Sequence, residues 1–131
     1  MEKEGLIVSD SDVLIKLTDR NNKQLFEISS RLGFHNFCIN SISFSELLCG
    51  AHNRHHRKKL IQELGKFIFL ELNPTIDKIH RELILKYSLS HGLKVQDSLI
   101  AATALFYQML LFTLSISNYR FITGTGLEVI K

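Results

Sequence analysis

Short apolar, β-rich runs recur at residues 6–8, 37–42, 66–72 and 110–114, and helical stretches of ten or more residues separate them. Strands that are apolar on both faces need cover on both. Connections of that length also suit parallel crossovers better than hairpins. The expected fold class is therefore α/β: a three-layer α/β/α sandwich with a mostly parallel central sheet.

The helical stretches carry start and stop signals. Leu25, Ile28 and Leu32 share one face of a helix over 23–32, which Gly33 is placed to stop. Ser43 followed by Glu46 has the spacing of a capping box. A charged helix follows over 53–65. Asn73-Pro74 opens another, on which Ile76, Ile79, Leu83 and Tyr87 recur at helical spacing up to Gly92. Residues 96–107 are alanine-rich and apolar on most faces, as in a helix packed deep against a sheet. The tail over 127–130 reads as an edge strand, and Gly124-Thr125-Gly126 as a loop.

A chain of 131 residues encloses one sizeable core, so a single domain over 1–131 is expected. The charged start Glu2-Lys3-Glu4 lacks the pattern of a signal peptide, and the apolar run at 109–114 is far below the ~20 residues of a membrane span. Cys38 and Cys49 form no CxxC or Cys/His cluster, which suits buried, reduced thiols in a cytoplasmic protein. The net charge of +3 permits an acidic partner but does not argue for one.

Ligand sites in parallel α/β sheets form beyond the carboxyl ends of the strands. Asp10, Asp12 and Glu46 fall at such junctions, and Asp97 opens the alanine-rich helix. Singly, each is accounted for as a helix cap or a charge at a helix start. Together they repel unless a cation joins them, and hard cations such as Mg²⁺ or Mn²⁺ take oxygen ligands. Such an ion activates water and stabilises phosphoryl charge, which points to phosphodiester hydrolysis.

At these residues the chain resembles the PIN-domain nucleases, above all the VapC toxins. Val8 to Ile15 is similar to the family's opening strand and its DxN or DxD acid. Ser41 to Gly50 is similar to its S-x-x-E-L-x-x-G segment, and Asp97-Ser98-Leu99-Ile100-Ala101-Ala102-Thr103-Ala104 to its D-x-L-I-A-A-x-A. The resemblance implies an Mg²⁺- or Mn²⁺-dependent endoribonuclease, the toxin of a type II toxin–antitoxin pair. Its substrate would be single-stranded regions of tRNA or rRNA, its inhibitor a cognate antitoxin protein, and its state a homodimer. It further implies Asp10, Glu46 and Asp97 as the catalytic, metal-binding acids, with Asp12 as an auxiliary carboxylate.

One motif departs. Where the family often has T-x-N-x-x-D-F, this chain reads Thr113-Leu114-Ser115-Ile116-Ser117-Asn118-Tyr119. Thr113, Ser115 and Asn118 are thus expected at the rim of the site, with an amide in place of a fourth acid. An amide adds no negative charge, which favours one metal over two. The alternative function is a catalytically weak PIN module that binds RNA or a protein partner.

The run from His52 to Lys59 holds four permanent cations, three histidines and no acid. As a charged helix face it needs no catalytic role, but Arg54, Arg57, Lys58 and Lys59 are the candidates for attracting an RNA backbone. His52 and His55 are spaced to share a helix face, without a third ligand. His35, His80 and His91 read as structural or exposed. Asp10-Ser11-Asp12 is also similar to the nucleophile motif of haloacid-dehalogenase-type phosphatases, but the lysine and paired acids those enzymes need do not follow as a set.

Overall fold

The structure is a computed structural model that describes residues 5–19 and 22–130. The charged start at residues 2–4 lies outside them. Strands β1 (Ile7–Ser9), β2 (Phe37–Ile39), β3 (Ile68–Phe69) and β4 (Leu110–Phe112) form one sheet in the order β3-β2-β1-β4. All three pairings are parallel, with Val8 level with Cys38 on one side and Leu111 on the other.

Among the described residues six α-helices accompany the sheet: α1 (Ser11–Asp19), α2 (Lys23–Leu32), α3 (Ser41–Cys49), α4 (Arg54–Leu64), α5 (Pro74–His91) and α6 (Val95–Tyr107). Side chains of a strand alternate between its faces, and that alternation divides the core. Val8, Cys38 and Leu111 pack with Ile76, Leu83 and Tyr87 of α5 and with Ile100 and Ala104 of α6. Ile7, Phe37 and Phe112 pack the other way, with Val13 of α1 and Leu25 of α2. Ile39 joins Leu14, Leu47, Leu60 and Leu64, which brings α1, α3 and α4 onto that face. Both faces are covered, as expected for an α/β/α sandwich.

The pairing runs shorter than the sequence suggests. Strand β2 ends at Ile39 because Asn40 turns away to cap α3, its side chain accepting from the backbone N–H groups of Ile42 and Ser43. The expected Ser43 capping box does not form. Ser43 lies within the first turn, buried, and its hydroxyl donates to the Ser9 carbonyl. Strand β3 shrinks to two exposed residues at the sheet edge. The tail contributes a single parallel bridge, Val129 to Leu111, instead of a strand, and Arg120–Thr125 is a 3-10 helix where a loop is expected. Helix α5 starts and stops as read: Asn73 accepts from the Ile76 N–H, and Gly92 takes the left-handed φ of 65°.

Chain order leaves β1 toward β2 and β3, then returns to place β4 on its other side. The direction of winding therefore reverses between β1 and β4, the position where open α/β sheets present a crevice beyond the strand ends. Asp10 follows β1 there and Thr113 follows β4, with the Asp10 N–H donating to the Phe112 carbonyl at 2.9 Å.

Candidate functional site

The four candidate acids enter this crevice from three helices and a strand end, and hydroxyl groups link them. Asp10 is only 5% exposed. Its Oδ1 accepts the Ser11 N–H at 2.8 Å, and its Oδ2 accepts hydroxyls from Thr113 at 2.8 Å and Tyr119 at 2.9 Å. Ser11, beginning α1, turns its hydroxyl to Glu46 Oε1 at 3.0 Å, so α1 and α3 hold Asp10 and Glu46 around one serine. Asp97, in the first turn of α6, accepts the Tyr119 hydroxyl at 3.2 Å.

Asp12 completes the set from the first turn of α1. It accepts the backbone N–H of Leu114 and the hydroxyl of Ser115 at 2.8 Å, and Thr113 Oγ1 lies 3.3 Å from it. Thr113 and Ser115 thus reach the acids, Thr113 from a buried position and Ser115 from a half-buried one. Asn118 does not: it is exposed in a 3-10 turn, and the hydroxyl that enters from this loop belongs to Tyr119. Neither helix start is capped in the way a lone acid suggests, since the Asp97 carboxylate bonds to Tyr119 and the Asp12 carboxylate to the β4 loop.

Charge is poorly balanced here. Burial, and then the neighbouring Asp12 carboxylate, push the Asp10 carboxyl up to about 6, against the lowering effect of its hydrogen bonds to Thr113, Tyr119 and Ser11. Asp97 is raised too, by burial first, with Tyr119 and the Lys94 ammonium pulling the other way. Burial and the two acids beside it raise the Tyr119 phenol, which stays a neutral donor. Among the described residues no Lys, Arg or His side chain bonds to any of the four acids.

Such an oxygen-rich, underneutralised set fits a hard cation in its chemistry. Its spacing is another matter: no three Asp, Glu, His or Cys side chains among the described residues stand close enough to grip one ion together. Hydroxyls keep the acids apart.

Glu46 also lines a cavity of about 320 Å³ with Ile15, Leu47, His52, His56 and Leu60. The pairing of histidines differs from the expectation. His52 lies outside α4, which Asn53 caps, and it stacks on His56, not His55, at 4.8 Å between ring centres. Arg54, Arg57, Lys58 and Lys59 all project from α4 into solvent. His80 Nδ1 lies 2.8 Å from the Ser98 hydroxyl, beside Asp97, and His91 stacks on Phe121. Cys38 is buried and its thiol pushed up to about 11 by burial, whereas Cys49 is exposed, contrary to its reading as a buried thiol.

The PIN domain family model matches residues 7–114, from β1 to the loop after β4. The chain belongs to the PIN domain family. Solved structures agree on the PIN fold. A toxin–antitoxin complex from Klebsiella pneumoniae is similar at a TM-score of 0.79 and 22% identity, over 95% of this chain and 96% of that one. VapBC2 from Rickettsia felis, bound to a promoter DNA fragment, gives 0.81 at 18% identity, covering 95% and 97%. VapBC-1 from nontypeable Haemophilus influenzae gives 0.78 at 21%, covering 96% and 97%. No curated protein matches significantly by sequence. Among the described residues of this PIN chain no helix is long and apolar enough to cross a membrane.

Proposed function

We propose that the chain is a metal-dependent endoribonuclease, the toxin of a type II toxin–antitoxin pair, cutting single-stranded regions of a structured RNA such as tRNA or rRNA in the cytoplasm. One observation carries this: Asp10, Asp12, Glu46 and Asp97 converge beyond the strand ends with hydroxyl partners and no bonded cation among the described residues. Asp10, Glu46 and Asp97 would hold Mg²⁺ or Mn²⁺, with Asp12 adding charge. The bound ion supplies Lewis acidity for phosphodiester hydrolysis.

The chain's own groups prepare that step. Ser11 aims Glu46, Thr113 orients Asp10, and Ser115 fixes Asp12. The cavity that Glu46 lines is also lined by His56 and Leu60 of α4, the helix whose exposed Arg54, Arg57, Lys58 and Lys59 draw the RNA backbone in. The toxin–antitoxin complexes among the similar structures support an antitoxin as the protein partner. A homodimer is proposed on the resemblance alone.

Cleavage of an RNA panel, with Mg²⁺ or Mn²⁺ and with chelator, tests the assignment. Asp10→Ala and Asp97→Ala are expected to lose activity by at least ~100-fold, since even partners behind the metal ligands are worth up to that much. Cutting at the parental rate in both variants rules these carboxylates out. A second reading, a PIN module that binds without turnover, draws on the exposed Asn118, which brings no fourth charge to the acids. RNA retention with no metal-supported cleavage by the parent protein is its signature.

A further inference from the structure

The two acids at the heart of the cluster do not meet directly; a phenol stands between them. Tyr119 Oη lies 2.9 Å from Asp10 Oδ2 and 3.2 Å from Asp97 Oδ1. A phenolic hydroxyl has one proton, so it donates to one carboxylate at a time and shows lone pairs to the other. Both separations are hydrogen-bond lengths, well beyond the ~2.1 Å of an Mg–O bond. The Thr113 hydroxyl occupies the same Asp10 oxygen at 2.8 Å. An ion seated between Asp10 Oδ2 and Asp97 Oδ1 would take the place that Tyr119 Oη holds between them.

Nor is the phenol free to swing out. Tyr119 is fully buried within the core that also holds Ile100, Ala101 and Ile122. Its backbone is tied on both sides, its N–H donating to the Ile116 carbonyl and its carbonyl accepting the Ile122 N–H. The ring therefore stays where it is, and an ion bridging those two oxygens needs the carboxylates to turn.

We propose that Tyr119 is an internal competitor for the divalent ion: its hydroxyl fills the gap between Asp10 Oδ2 and Asp97 Oδ1, and an ion bridging these two oxygens must displace both hydrogen bonds. The proposal rests on the reading of these acids as a cation site. Phenylalanine at this position keeps the ring packing and removes the competitor, leaving two carboxylates with no hydroxyl between them. A hydroxyl that merely positioned the acids for the ion would act in the opposite sense, so that its loss would weaken ion binding. The sign of the change decides between the two.

Mn²⁺ binding followed by the paramagnetic resonance of the free ion, and Mg²⁺ binding by calorimetry, compare the parent with Tyr119→Phe at pH 7.5. Thermal melts show that both are folded. The variant is expected to bind each ion about tenfold more tightly, the size of one hydrogen bond to a charged group. Equal or weaker binding overturns the proposal while leaving the cation site standing. Binding by neither protein overturns both. A second measurement needs no variant: with only three tyrosines in the chain, ¹³Cζ labelling resolves Tyr119, and its resonance is expected to move as Mg²⁺ saturates the parent. A resonance unmoved at saturation overturns the proposal.

Discussion

Asp10 carries the largest cost of the site. Its carboxyl lies at about 6 against an ordinary 3.8, because burial and Asp12 outweigh its hydrogen bonds. The folded chain therefore holds the Asp10 proton more tightly than the unfolded chain does. Stability from this group is fully present below pH ~4 and is lost as pH rises through ~6. Asp97, raised by burial as well, acts in the same direction. In chelator, Asp10→Asn is accordingly expected to be more stable than the parent at pH 7 by up to ~3 kcal/mol, with the difference gone by pH ~4. Urea unfolding across that range checks it; a parent that grows steadily more stable from pH 4 to 7 relative to the variant contradicts it. Tyr119 belongs at this scale too, and nothing near it in the sequence announces it. Its partner Asp10 is 109 residues away, and at the level of pattern a Tyr in place of Phe reads as one more core aromatic.

At the scale of elements, the position of α3 decides where Glu46 points, and Asn40 decides the position of α3. Its side-chain oxygen caps the helix while its amide donates to the buried Thr103 hydroxyl of α6 at 2.9 Å. Asn40→Ala is expected to cost about 2–4 kcal/mol, a lost cap together with buried polar groups left without a partner. Chemical denaturation measures it, and a loss below half a kcal/mol would mean that neither bond matters. The sequence pattern favours Ser43 as the cap because a serine three residues before a glutamate has the right spacing. The structure prefers Asn40 because the strand ends one turn earlier, and Ser43 and Glu46 then find tertiary partners in Ser9 and Ser11. A similar tie fixes Asp97: Ser98 beside it is buried, and its hydroxyl donates to the His80 carbonyl of α5. Helix α5, by contrast, obeys its local signals at both ends, since Asn73 and Gly92 satisfy backbone groups within one turn.

Across the whole molecule, the four candidate acids and the four cations that open α4 lie on different elements. The acids sit in the crevice between β1 and β4, and the cations are exposed on α4, whose His56 and Leu60 line the Glu46 cavity. If those cations guide RNA, Lys58→Ala with Lys59→Ala is expected to make the plot of log affinity against log salt shallower by ~1.4 for a single strand. Filter binding at several salt concentrations measures this, and an unchanged slope places the RNA path elsewhere. A net charge of +3 hides that separation, which exists only once the helices are packed.

Strand and helix types and the parallel sheet were legible in the chain because each rests on local period or on residue type, whereas the acids stood out as a set only through their shared place at strand ends and the family's spaced motifs. Ile7, Val8, Phe37, Cys38, Leu111 and Phe112 are apolar on both faces of their strands, and such strands are buried only between two helix layers. Tertiary structure alone decided that hydroxyls separate the acids, that Tyr119 and not Asn118 reaches them, and that Asn40 sets α3. Those outcomes depend on which distant groups meet in a desolvated crevice, where an unpaired carboxylate is costly enough to select whatever donor the packing brings near.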